Sequence, residues 1–188
     1  RRSSDLDSKN DGAIIIAEKQ TGGRGRSGRR WISPKGGIWL SIILHPKFDI
    51  SITTLFPIAS SLALSYAIEK TCGMSPSLKW PNHLTVNGKK LAGMLVDVSM
   101  QSNRIESLVL GVGINFNVNV KEIGKKLKNT SNYYGIASLT EQKNKVTAVE
   151  LVQSFLLELE KIYELLNMNQ TKKIISEWTK RSSTIGKK

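Results

Sequence analysis

Residues 22–37, GGRGRSGRRWISPKGG, decide how this chain is read, because they set glycines, arginines and a tryptophan between two short apolar runs. Glycines let backbone N–H groups come close to a ligand, while Arg24, Arg26, Arg29 and Arg30 offer planar, permanently charged forks for carboxylate or phosphate. A loop this long without regular structure is more often functional or disordered than a passive connector. Composition alone leaves an anion cradle and a disordered RG-rich, RNA-binding segment about even. Position favours the cradle: residues 13–17 lead in as a β-branched strand and residues 38–44 leave as another, so a sheet anchors both ends.

Working outward, a chain of 188 residues suffices for one globular domain with a buried core. The single Cys72 excludes an internal disulfide framework. With His45 and His83 it makes no structural zinc set, so no metal site is expected, and an intracellular, cytoplasmic setting follows. No apolar run reaches the ~20 residues a bilayer span needs, so no membrane partner is expected. The net charge of +13 favours acidic partners, although the lysines of residues 121–128 and 172–188 fit solvated helix faces and termini. The absence of an initial methionine and the ending Ile185-Gly186-Lys187-Lys188 read as a trimmed chain.

Past the second strand, residues 51–71 read as a helix with Leu55, Ile58, Ala59, Leu62, Ala63 and Tyr66 on its apolar side and Gly73 as its stop. Pro57 fits best in a first turn, which moves the start to about Thr54 or Leu55. Asn87-Gly88 between residues 84–86 and 91–98 is a hairpin signal that puts Lys89 and Lys90 at a strand's start. Residues 104–112 alternate as the next strand and residues 121–128 as a short helix, with 129–135 a loop. Thr147 and Glu150 form a capping box that opens a helix with Val149, Val152, Phe155, Leu156, Leu159, Ile162, Tyr163 and Leu166 as a core stripe. Residues 172–180 follow as another helix. This grouping predicts an α+β fold, a mixed, mainly antiparallel β-sheet flanked by α-helices. Neither a Rossmann fingerprint nor a P-loop is present.

Four segments in order carry a resemblance: Gly23-Arg24-Gly25-Arg26-Ser27-Gly28-Arg29-Arg30-Trp31, Lys79-Trp80-Pro81-Asn82, Lys89-Lys90-Leu91-Ala92-Gly93 and Gly111-Val112-Gly113-Ile114-Asn115. Together they resemble the catalytic domain of biotin protein ligases, over residues 14–117. The resemblance implies the class II aminoacyl-tRNA-synthetase-like, biotinyl-lipoyl ligase fold. It assigns residues 1–180 to the catalytic domain with its N-terminal part missing, and 181–188 to the start of a C-terminal SH3-like barrel. It implies biotin and MgATP as substrates, biotinyl-5′-AMP as intermediate and a lysine of a biotin carboxyl carrier protein as acceptor. No DNA-binding domain is implied in this chain, and a homodimer is allowed.

By the same resemblance Lys90 and Arg26 are the catalytic candidates. Gln20, Gly23, Arg24, Lys90, Gly93, Gly111 and Gly113 match biotin-binding positions, and Arg26, Arg29, Trp31, Asn82, His83 and Asn115 match nucleotide-side positions. Read without the resemblance, Trp31 and Trp80 are core or sheet-edge aromatics and Lys90 is an exposed lysine beside a turn. Two departures stand out. His83 occupies the place of the family's aspartate after Lys-Trp-Pro-Asn, and no Ser/Thr-rich biotin-contacting segment precedes the first strand, Ser3 and Ser4 being in the wrong context. These leave an impaired remnant that binds ligand or carrier as an alternative. A lipoate ligase shares the fold and the chemistry, but the Gly-Arg-Gly-Arg and Lys-Trp-Pro-Asn segments favour biotin.

Overall fold

Asn87 and Gly88 both take left-handed backbone conformations, φ 51° and 73°, as a two-residue hairpin requires. They join β4 (His83–Val86) to β5 (Lys89–Gln101), the longest strand. The remaining strands of this computed structural model, which describes residues 8–102, 104–128, 134–140 and 146–185, are β1 (Ile14–Ala17), β2 (Ile38–Leu44), β3 (Ser77–Lys79) and β6 (Arg104–Ile114). Among the described residues they form one sheet in the order β1-β2-β6-β5-β4-β3, every neighbouring pair antiparallel. Parallel pairing enters as the isolated bridges Leu78 to Ser182 and Lys90 to Ile136. Ser3, Ser4, residues 186–188 and most of the loop expected at 129–135 lie outside the described residues.

The sheet has one greasy face. Ile38, Leu40 and Ile42 of β2, and Leu110, Val112 and Ile114 of β6, alternate onto it and meet α1 (Phe56–Cys72), α3 (Ala148–Asn167) and α4 (Thr171–Arg181). A helix apolar on nearly every side belongs inside a protein, and α1 is of that kind, with eleven buried residues. Pro57 sits in its first turn, so the α-helix begins at Phe56, close to the Thr54 or Leu55 start that the proline implied, and a 3₁₀ segment, Ile50–Leu55, precedes it. The same stretch corrects the expectation that no apolar run reaches the length of a bilayer span. Ile50–Cys72 is 23 residues and apolar enough to cross a membrane by length and composition, yet 61% of its most apolar window is buried inside the protein.

The capping box forms as expected, Thr147 Oγ1 accepting from the Glu150 N–H at 3.2 Å and Glu150 accepting from the Thr147 N–H at 2.8 Å. The stripe on α3 packs on the core as expected, Val152, Leu156 and Tyr163 at its partly buried margin, with Val149 as the exception and Leu151 as an addition. Val149 is 64% exposed, whereas Leu151, Phe155, Leu159, Ile162 and Leu166 are buried. Val149 falls at the outer margin of the stripe, on the side of the half-buried Leu156, whereas Ala148 and Leu151 face the core. The short α2 (Val120–Leu127) instead covers the opposite face of the sheet, where Ile123 packs in a smaller cluster with Trp39 and Val118. That second face carries the cleft.

Candidate active site

Strict alternation along β5 would point Lys90 to the same side as Ala92 and Met94, both buried in the main core. A bulge prevents this. The register between β4 and β5 shifts between Leu84 and Thr85, so that Leu91 enters the core and Lys90 turns to the cleft side. The irregular backbone is braced from both sides. The Asn115 side chain donates to the Lys90 carbonyl at 3.1 Å, and the Asn115 N–H donates to Leu91 at 2.9 Å. The Lys90 N–H donates to Gly135 at 3.0 Å, while Ala137 donates back to Lys90 at 2.9 Å.

That last pairing brings Tyr134 to the site. Lys90 Nζ lies 2.8 Å from His83 Nε2, and the Tyr134 hydroxyl lies 2.9 Å from His83 Nδ1. Lys79 stands 3.6 Å over the Tyr134 ring, and Lys90 stands 4.5 Å over the Trp31 ring. Lys90 is therefore not the exposed lysine that its place beside a turn suggests. Burial, with Arg29 and Lys79 adding positive charge, pulls its pKa from 10.5 down to about 7. Burial and the cations Lys90, Lys79, Arg26 and Arg29 push His83 down to about 3, and burial raises Tyr134 to about 12.

The floor beneath these groups is made of glycine. Gly93 and Gly113 are register partners on β5 and β6, and the Trp31 indole rests on both. A Cβ at Gly113 would come 2.7 Å from Trp31 Nε1, so the indole cannot keep its place over any larger residue there, and one at Gly93 would press on its ring at 3.1 Å. Trp31 also meets Trp39 edge-on at 6.4 Å, and its buried Nε1 has no hydrogen-bond partner among the described residues. Gly111 is different: a Cβ there would meet nothing closer than 3.6 Å, the Leu95 carbonyl.

The arginine loop folds back on itself as a small ladder instead of trailing freely. Trp31 donates to Gly23 at 2.9 Å and Gly25 to Arg29 at 2.7 Å, around a single 3₁₀ turn at Arg26–Gly28 with Ser27 and Gly28 at positive φ. At its base the Gln20 N–H donates to the Ser33 carbonyl at 3.0 Å and Ser33 Oγ donates to Gln20 Oε1 at 2.7 Å.

Gln20, Gly23, Arg24, Arg26, Arg29, Trp31, Asn82, His83, Lys90, Gly93, Gly111, Gly113 and Asn115, expected from the sequence to share a site, all line one cleft of about 1100 Å³. Asn82 and Asn115 are both buried there and spend their side-chain amides on the Met94 and Lys90 carbonyls. Sequence reasoning missed Tyr134, Lys79 and the α2 residues Ile123 and Leu127, which complete the wall. Asp97, the one acidic residue among the described residues lining the cleft, stands 3.7 Å from Arg24. No group of three or more His, Cys, Asp or Glu stands together among the described residues.

Cations gathered around a neutral floor suit this α+β domain to holding anionic groups side by side. The chain belongs to the biotin/lipoate A/B protein ligase family, whose model matches residues 2–115. It is 34% identical over 154 residues to the bifunctional ligase/repressor BirA of Bacillus spizizenii, covering 81% of this chain and 46% of that protein. It is 30% identical over 183 residues to the biotin–[acetyl-CoA-carboxylase] ligase of Mycobacterium tuberculosis, covering 94% of this chain and 63% of that one. Among solved structures, the biotin protein ligase from Aquifex aeolicus in complex with biotin and ATP aligns with a TM-score of 0.77 and 27% identity, over 93% of this chain and 70% of that one.

Proposed function

We propose that this chain joins biotin and ATP to form biotinyl-5′-AMP and passes the biotinyl group to a lysine of a biotin carboxyl carrier protein. A carboxylate oxygen of biotin attacks the α-phosphorus of ATP, supplied with Mg²⁺, and pyrophosphate leaves. The carrier's amine then attacks the mixed anhydride, AMP leaves, and the nitrogen sheds a proton. The observation that carries this reading is Lys90 Nζ, set by a bulge at the edge of a glycine floor and facing Arg29 and Trp31. A protonated amine there neutralises the carboxylate as it approaches and the charge that builds on the α-phosphate.

Arg26 and Arg29 are placed on the loop that would close over the adenylate, and Gln20, Gly23 and Arg24 at the end that would receive biotin. The open floor beside Gly111 is where we seat the biotin rings, because Trp31 covers Gly93 and Gly113. The Trp31 indole then offers its outer face to the nucleotide. The repressor half of the Bacillus protein's name is not carried over. The relatives' names support the substrates, and a cytoplasmic setting with an optional homodimer belongs to the same proposal.

The experiment is mass spectrometry of the purified chain after incubation with biotin and MgATP. Bound biotinyl-5′-AMP is the expected result. A folded chain that yields none, while binding biotin, would replace the ligase reading with that of a binding remnant.

A further inference from the structure

In the Tyr134–His83–Lys90 chain the middle member bears no formal charge, and no carboxylate is within hydrogen-bonding distance of Lys90 among the described residues. The groups facing His83 come from four places: Lys79 on β3, Lys90 on β5, Arg26 and Arg29 on the loop, and Tyr134 from the segment after α2. All that carry charge are cations. An ammonium has donors and no acceptor, so when Lys90 is protonated it donates to His83 Nε2. The ring proton is then on Nδ1, and Nδ1–H donates to the Tyr134 oxygen. A free amine can instead accept from Nε2–H, in which case the Tyr134 hydroxyl donates to Nδ1. The phenol serves as acceptor in one arrangement and donor in the other, and both hydrogen bonds survive.

We propose that His83, oriented by the Tyr134 hydroxyl, is a positioning residue that holds the Lys90 amine in place in both of its charge states by reversing its own tautomer. A carboxylate at position 83 would fix the amine as a cation. The neutral ring leaves Lys90 as the group that titrates, its pKa lowered to about 7, while the ring itself stays neutral down to about 3 and the phenol stays protonated up to about 12. An arriving anion favours the ammonium, so above neutrality anion binding draws a proton into the cleft. This last consequence rests on the ligase reading; the tautomer reversal does not.

The chain has two histidines, so ¹⁵N-histidine NMR resolves His83 beside His45. The expected result is a His83 ring that is an Nδ1–H tautomer below about pH 7 and gains Nε2–H character above it, with no imidazolium down to about pH 4. Lys90→Met should abolish the step and Tyr134→Phe should move or flatten it. An imidazolium appearing near the ordinary 6.5, or a step that survives Lys90→Met, would overturn the proposal. Calorimetric titration with biotin at about pH 8, in buffers of different ionisation heat, should show uptake of up to ~1 proton in the wild type and in His83→Gln, and much less in His83→Asp. Equal uptake in wild type and His83→Asp would overturn the coupling. Failure of biotin to bind would instead count against the ligase reading, with the NMR step still deciding the role of His83.

Discussion

Lys90 combines a half-buried amine, a neutral histidine partner and an indole face, and each has a measurable consequence. Because the pKa is about 7 in the fold and 10.5 in an ordinary lysine, the folded chain binds fewer protons between those values than the unfolded one. Stability from this group is therefore fully present above about pH 10.5 and is lost as pH falls toward 7. His83 adds the same sign lower down, stability being lost as pH falls from 6.5 to about 3. Thermal melts should show the wild type losing stability relative to Lys90→Met as pH drops from about 10 to about 7, and a constant difference would count against a buried amine. That residue was visible in the sequence as a candidate through its motif, yet its burial was not. The bulge that turns it to the cleft is braced by Asn115 and Gly135, and Tyr134 reaches its partner His83 through a segment that carries no strand or helix pattern of its own.

At the scale of elements, the glycine floor separates packing from tolerance. Gly113→Ala puts a Cβ 2.7 Å from the Trp31 indole and should unseat it, at a cost of about 1–3 kcal/mol in urea unfolding with a change in tryptophan fluorescence. Gly111→Ala meets only an ordinary contact at 3.6 Å and should change stability by less than about 0.5 kcal/mol, while obstructing biotin if the rings sit there. Equal stability losses would refute the assignment of Trp31 to one part of the floor. In the arginine loop, Arg26→Gly removes a cation without breaking the ladder made by Trp31 and Gly25. It should loosen retention of the adenylate, read as a rise in indiscriminate lysine labelling; unchanged leakage would remove Arg26 from that role. Elements with a local code were legible, such as the Asn87-Gly88 hairpin, the Thr147–Glu150 capping box and the helix that Pro57 opens. The short β3 was not, since three residues hold too little alternation to read, and Val149 was misassigned because it falls at the margin of the apolar stripe, where periodicity does not decide burial.

For the molecule as a whole, the greasy face of the sheet buries the core against three helices and leaves the other face to collect cations. The net charge of +13 is spread widely, but Arg26, Arg29, Lys79 and Lys90 converge on one cleft, so affinity for ATP should fall as salt rises. A salt-independent affinity would mean that these cations do not face the nucleotide. The resemblance read from four short motifs extended to the fold because those motifs are the strand ends and turns that build this face. Biotin-dependent release of pyrophosphate from ATP, compared between the wild type and Lys90→Met, tests the central claim most directly. Release in the wild type with a loss of about 10²–10³-fold in the variant is the predicted result. Equal rates from two folded proteins would contradict it.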